Sequence, residues 1–96
     1  MNFRSPSLLA ASRELPCQSC GAHGRTQAAH NNQLKDGKGT GIKSHDFTVM
    51  SLCVECHTAL DQSGKLKKNE RHDFEDAMNL KTLRELIRLG YLKVAK

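Results

Sequence analysis

The chain has 96 residues, 38% of them hydrophobic, with three Phe, one Tyr and no Trp, so apolar burial alone leaves one domain of this size marginal and a staple is expected. No stretch approaches 18 apolar residues, which excludes a transmembrane helix. The formal charge of +5 favours a polyanionic partner, with nucleic acid the leading candidate.

Taken in chain order, Ser5-Pro6 reads as an N-cap followed by Pro at the first helical position. A short helix is expected over Ser7 to Glu14, stopped by Pro16. Cys17-Gln-Ser-Cys20 follows, then Thr26-Gln-Ala-Ala-His30 as a short strand and Phe47-Thr-Val-Met-Ser-Leu52 as a second. Between the strands lie residues 31–46, with Gly37, Gly39 and Gly41 close together; a loop that long in so small a domain points to function or disorder. It lacks the Gly-Lys-Ser/Thr ending of a nucleotide-binding loop and reads as a flap contacting a backbone. After Cys53 the pattern turns helical, ending near Asp61 or Gln62 ahead of Gly64. Asn69 is placed to cap a helix through Met78, and Asn79 to cap another that Gly90 ends. In the second, Leu80, Leu83, Leu86 and Ile87 share a face expected to be core, and Tyr91-Leu-Lys-Val94 reads as a short strand.

The chemistry centres on Cys17, Cys20, Cys53 and Cys56, two Cys-x-x-Cys pairs separated by 32 residues. That spacing lets two sulfurs of each pair reach one zinc ion at about 2.3 Å, with a strand and a long loop looped out between the two knuckles. The first six residues carry no apolar run of signal-peptide length, so the expected compartment is a reducing cytoplasm, where paired cysteines hold metal more often than each other. Cys53-Val-Glu-Cys56-His57 also matches the haem-attachment pattern, but haem loading implies export and leaves the first pair without a use. A redox dithiol is likewise disfavoured, since no βαβ pattern accompanies either pair.

His57 and Asp61 are four residues apart on a helix, which puts an imidazole and a carboxylate on one face, able to hold a hard divalent ion such as Mg²⁺ or Mn²⁺. His57 could instead hydrogen-bond a zinc thiolate or replace one Cys ligand, and His30 alone reads as a partly buried strand-end histidine. His23, His45 and His72 read as surface residues, His45 standing next to Asp46 and so within reach of the same cleft.

Cys-x-x-Cys, a His at the end of a strand, Asp46, and Leu52-Cys53-Val-Glu-Cys56-His57, in this order, resemble the HNH nucleases, whose ββα-metal fold is a β-hairpin followed by a helix. The match is closest to small phage- and prophage-encoded nucleases. These share an Arg-Ser-Pro start, a Gly-x-Gly-Thr-Gly-x-Lys loop and an Asp shortly before the second strand. The likeness covers most of residues 3 to 63 and, more loosely, the helical tail. It implies a small α+β, zinc-stapled ββα-metal domain over residues 1–96, with an N-terminal helix in 5–15, a core in 17–63 and a helical tail in 64–96.

The implied activity is divalent-metal-dependent DNA endonuclease, in phage or prophage DNA processing or recombination. DNA is the expected partner, and a recombination protein is a second candidate. Carried over by position, His30 is the general base, His57 the metal-binding last histidine, and Asp46 stands where the family usually has Asn and is expected to hold His30 in its catalytic tautomer. Many members carry Asp or His immediately before the base as a metal ligand; this chain has Ala29, and Asp61 is spaced to supply the missing ligand. The competing reading is a non-catalytic zinc-binding DNA-binding or adaptor module on the same fold. Arg25, Lys38, Lys43 and Lys67 are candidate phosphate contacts, although a solvated charged face explains each singly about as well.

Overall fold

The computed structural model describes residues 2–62 and 64–93, an α+β arrangement of three helices and a two-stranded sheet. Helix α1 runs Pro6–Arg13, where the Ser5 hydroxyl accepts the Leu8 N–H at 3.2 Å and Pro6 occupies the first turn. Strands β1, Thr26–His30, and β2, Val49–Cys53, pair antiparallel, with Thr26 opposite Cys53 and His30 opposite Val49. Helix α2, Val54–Gln62, leaves β2 without an intervening loop, and α3 spans Lys68–Arg88.

All five residues of β2 are buried, because helices cover the strand from more than one side. Met50 and Leu52 join Cys17, Ala29, Cys53, Leu60 and Met78 in the core. On the same strand the Thr82 hydroxyl accepts the Ser51 N–H at 2.9 Å, and the Ser51 hydroxyl donates to the Ser12 carbonyl at 2.7 Å. Fully buried polar contacts of this kind fix α1 and α3 on the strand more specifically than apolar packing does.

The tail departs from expectation. It is one helix, not two: no Gly or Pro interrupts Lys68–Arg88, and Asn79 is an interior residue whose amide donates to the carbonyls of Phe47 and Val49, each at 2.9 Å. The N-cap is Lys67, not Asn69, with the Lys67 N–H donating to Glu70 Oε1 at 2.9 Å. The buried face of α3 is Glu75, Met78, Thr82 and Leu86, so of the expected apolar stripe only Leu86 is fully buried while Leu80 and Ile87 are exposed. Among the described residues the expected strand does not form: Tyr91 and Leu92 make a bend whose N–H groups donate to the Leu86 carbonyl, and Val94 lies outside the described residues. At the start of β2, Phe47 and Thr48 belong to a 3₁₀ turn over Asp46–Thr48, two residues later than the sequence pattern suggests.

These positions predict unequal costs along one helix. Leu86→Ala should lower unfolding free energy by about 2–5 kcal/mol, while Leu80→Ala and Ile87→Ala should each change it by less than about 0.5 kcal/mol. Urea titrations of the three variants check this; similar losses at all three would mean that the exposed stripe is packed.

Candidate functional site

The four cysteine sulfurs lie within 4.8 Å of one another. The first knuckle closes through Cys17 N–H to the Ala22 carbonyl and Gly21 N–H to the Cys17 carbonyl, both at 2.9 Å, with Gly21 at φ +82°, where a side chain would be strained. Gln18 N–H donates to the Ser51 carbonyl at 2.8 Å and so anchors that knuckle to β2. The second knuckle is the junction of β2 and α2 itself. Cys20 and Cys53 sulfurs stand 3.7 Å apart, close to the roughly 3.8 Å edge of a tetrahedron with metal–sulfur bonds of about 2.3 Å. The cluster is therefore compatible with one zinc ion.

Its titration has the same implication. Burial opposes ionisation of Cys17, but the backbone N–H groups of Cys20, Cys53 and Ser19 outweigh it and bring the thiol down to about 6. Burial and the neighbouring thiols push Cys56 up to about 12. A first thiolate forms readily, and further ones are resisted until a cation offsets the accumulating charge.

At the opposite end of β1, His30 Nε2–H donates to Asp46 Oδ1 at 2.8 Å. Asp46 is buried and also accepts the Ser5 N–H at 2.6 Å and Arg4 Nη1 at 3.2 Å. Burial pushes its carboxyl up, but the bonds from His30 and Ser5 and the adjacent charges of His30 and Arg4 outweigh this and hold it below the usual carboxylate range. An ionised Asp46 can only accept, so the proton sits on Nε2 of His30, and in the neutral ring Nδ1 keeps its lone pair.

His57 occupies the first turns of α2. Its Nδ1–H donates to Gln27 Oε1 at 2.7 Å, and its Nε2 faces Asp61 Oδ2 at 3.4 Å, with a lone pair when the ring is neutral and as an ion pair when it is protonated. Two cis ligands of an octahedral ion at about 2.1 Å are roughly 3.0 Å apart, so this donor pair fits one hard cation with a small adjustment. Arg71 of α3 stands 3.6 Å from Asp61 Oδ1 and 3.9 Å from the buried Glu75, whose carboxyl is pushed up by burial.

His30, His57, Asp61, Lys38, Lys43 and Arg71 line one cleft of about 390 Å³. Two of the candidate phosphate contacts, Lys38 and Lys43, are thus beside the histidines. Arg25 is elsewhere, paired with Glu55 on α2, and Lys67 caps α3; neither lines this cleft. His45 is not in the cleft lining either: its Nδ1 accepts the Phe3 N–H at 2.9 Å and its ring stacks on Phe47 at 4.8 Å. Arg71 and Arg4 were not singled out by sequence reasoning and Ser5 was read only as a helix cap, although the last two belong to the Arg-Ser-Pro start. No local pattern marks Arg71, which meets Asp61 of α2 from α3.

The thiol cluster generates a prediction about folding. The protein should carry one zinc per chain, and because metal binding supplies on the order of 10 kcal/mol of folding energy, Cys17→Ser or Cys56→Ser should unfold the domain or leave it molten. Metal analysis with circular dichroism and thiol titration checks this; a metal-free, fully folded protein with four freely reactive thiols would refute it.

No protein-family model, no curated protein and no solved structure matches this chain.

Proposed function

We propose that the protein is an HNH-type, divalent-metal-dependent DNA endonuclease, its ββα-metal unit formed by β1, β2 and α2 and braced by a structural zinc on the four cysteines. The observation that carries the reading is the convergence of His30 and the His57–Asp61 pair on one cleft with basic walls, His30 being oriented by a buried carboxylate. General base, metal ligands and phosphate-binding cations are the parts that phosphodiester hydrolysis needs within one cavity.

Each side chain has a separable task. Asp46 keeps the proton of His30 on Nε2, so Nδ1 accepts a proton from the attacking water, and the same carboxylate stabilises the imidazolium that results. The water oxygen bonds to phosphorus as the bond to the leaving oxygen breaks. His57 and Asp61 would hold a Mg²⁺ or Mn²⁺ ion, which when bound supplies Lewis-acid stabilisation of the charged phosphate. Gln27 orients His57 for this by taking its Nδ1–H, and Lys38, Lys43 and Arg71 offer cations to the phosphate. With DNA as the substrate, a recombination protein is a further candidate partner.

One contact favours the second reading, a DNA-binding module that does not cleave. Arg71 already neutralises part of the Asp61 charge, as an arginine in a purely structural ion pair would. Nicking of supercoiled plasmid by the zinc-loaded protein, with and without Mg²⁺ or Mn²⁺, separates the two.

If the nuclease reading holds, His30→Ala should lose about 10²–10⁴-fold in cleavage rate with zinc content unchanged, the loss of its bond to Asp46 lowering thermal stability without unfolding the protein. His57→Ala and Asp61→Ala should lose activity that returns partly at high Mn²⁺, whereas added metal cannot replace the proton acceptor in His30→Ala. Wild-type rates from His30→Ala would remove the mechanism. A normal metal dependence in Asp61→Ala would show that another group supplies the ligand missing at Ala29.

A further inference from the structure

His30 and Lys43 do not line the metal-side cleft alone; both also line a second groove of about 310 Å³ on the α1 side of the imidazole. Its floor is one face of α1, with Pro6, Leu9 and Arg13 at helical spacings of three and four residues. Its rim carries Arg4, Arg13 and Lys43 against a single carboxylate, Asp46, which is already engaged by His30, Arg4 and the Ser5 N–H. Arg4 is committed to the Ser44 and Lys43 carbonyls as well as to Asp46. The side chains of Arg13 and Lys43 are exposed and have no hydrogen-bond or ion-pair partner among the described residues. An apolar floor under two unengaged cations, continuous with the cleft across the proposed base, is complementary to a sugar ring and the phosphates on either side of it.

We propose that this groove is the flanking-nucleotide subsite of the enzyme: the polynucleotide leaves the cleft past His30 and crosses α1, its sugar on Pro6 and Leu9 and its next phosphate between Arg13 and Lys43. The proposal rests on the reading of the His30 cleft as a polynucleotide site and adds to it the direction of the strand. It also explains why the N-terminal helix is docked beside β1: α1 forms a wall of the substrate path as well as covering the core. Because the contacts are to sugar and phosphate, the groove confers no sequence preference.

Binding of a fluorescein-labelled single-stranded oligodeoxynucleotide to the zinc-loaded wild-type protein without Mg²⁺ or Mn²⁺, followed by anisotropy over a range of salt concentrations, tests this without cleavage. Arg13→Gln added to that protein should weaken binding severalfold and reduce the salt slope by about 0.7, the value for one phosphate contact on a single strand. Leu9→Asp should weaken binding further, while Arg88→Gln, whose arginine pairs with Glu85, should leave both affinity and slope unchanged. Unchanged affinity and slope in Arg13→Gln and Leu9→Asp, from a wild-type protein that cleaves plasmid with His30 dependence, would overturn the groove and leave the nuclease reading intact. Absence of any oligonucleotide binding would overturn the groove, and with it the nuclease reading where the wild-type protein also fails to cleave plasmid. Equal competition by poly-L-glutamate would assign the groove to an acidic protein segment and so overturn the subsite.

Discussion

Four sulfurs held within 4.8 Å of one another set the geometry from which the rest of this molecule follows. Two paired strands of five residues are marginal on their own, and the core that covers them is small and counts Cys17 and Cys53 among its members. Closure of the thiol cluster ties the first knuckle to the end of β2 and to the first turn of α2. Because α2 starts directly after Cys53, the direction of that helix is inherited from the cluster, and His57 and Asp61 inherit theirs from the helix. A cation at the thiols would therefore act at a distance on the candidate catalytic pair, by fixing the element that carries it, and without contact to either side chain.

The opposite end of the hairpin is closed by a different device. Residues 31–48 would be a slack connection, and the chain's first residues draw them in. Asn2 donates to the Gly37 and Lys43 carbonyls at 2.7 and 2.8 Å, Arg4 to the Lys43 carbonyl at 2.7 Å, and the Asp46 N–H donates to the Phe3 carbonyl at 3.0 Å. Gly37 is favoured there by a φ of +89°, and an added Cβ would also stand 2.8 Å from the Asn2 amide and displace it. From the other side Gln33 donates to the His72 carbonyl at 3.2 Å and to Asp76 Oδ1 at 3.0 Å, so the loop is docked on α3 as well. The loop is thus held on both sides, which places Lys38, Lys43 and Asp46 in definite positions around His30.

The electrostatics of the cleft divide its two histidines. His30 is bonded through Nε2 to a buried carboxylate held below its ordinary pKa. His57 is bonded through Nδ1 to a neutral amide and faces a half-exposed carboxylate, so in the neutral ring the Nε2 lone pair lies on the Asp61 side. Identical side chains on neighbouring elements thus differ in the partner of one ring nitrogen, and the proposed division of labour between proton acceptor and metal ligand rests on that difference.

Much of the local structure was legible in the residues. Ser5-Pro6 marks the start of α1, Thr26 to His30 reads as a strand, and two Cys-x-x-Cys pairs announce a four-thiol cluster, because caps, short strands and metal knuckles depend on neighbours in sequence. The His57–Asp61 pair was equally visible, since a helix turns a four-residue spacing into a shared face. What the sequence misjudged lies in the tail and in the walls of the cleft. Asn79 looks like a cap to any local rule and becomes an interior residue only because the Phe47 and Val49 carbonyls stand beside it; Leu80 and Ile87 look like core but are exposed, because α3 buries Glu75, Met78, Thr82 and Leu86 instead. Arg71 beside Asp61, and Arg4 and Ser5 around Asp46, were decided by tertiary structure alone. Their partners lie on other elements, and which cation meets which carboxylate is set by how whole helices dock, a long-range outcome to which no spacing along the chain corresponds.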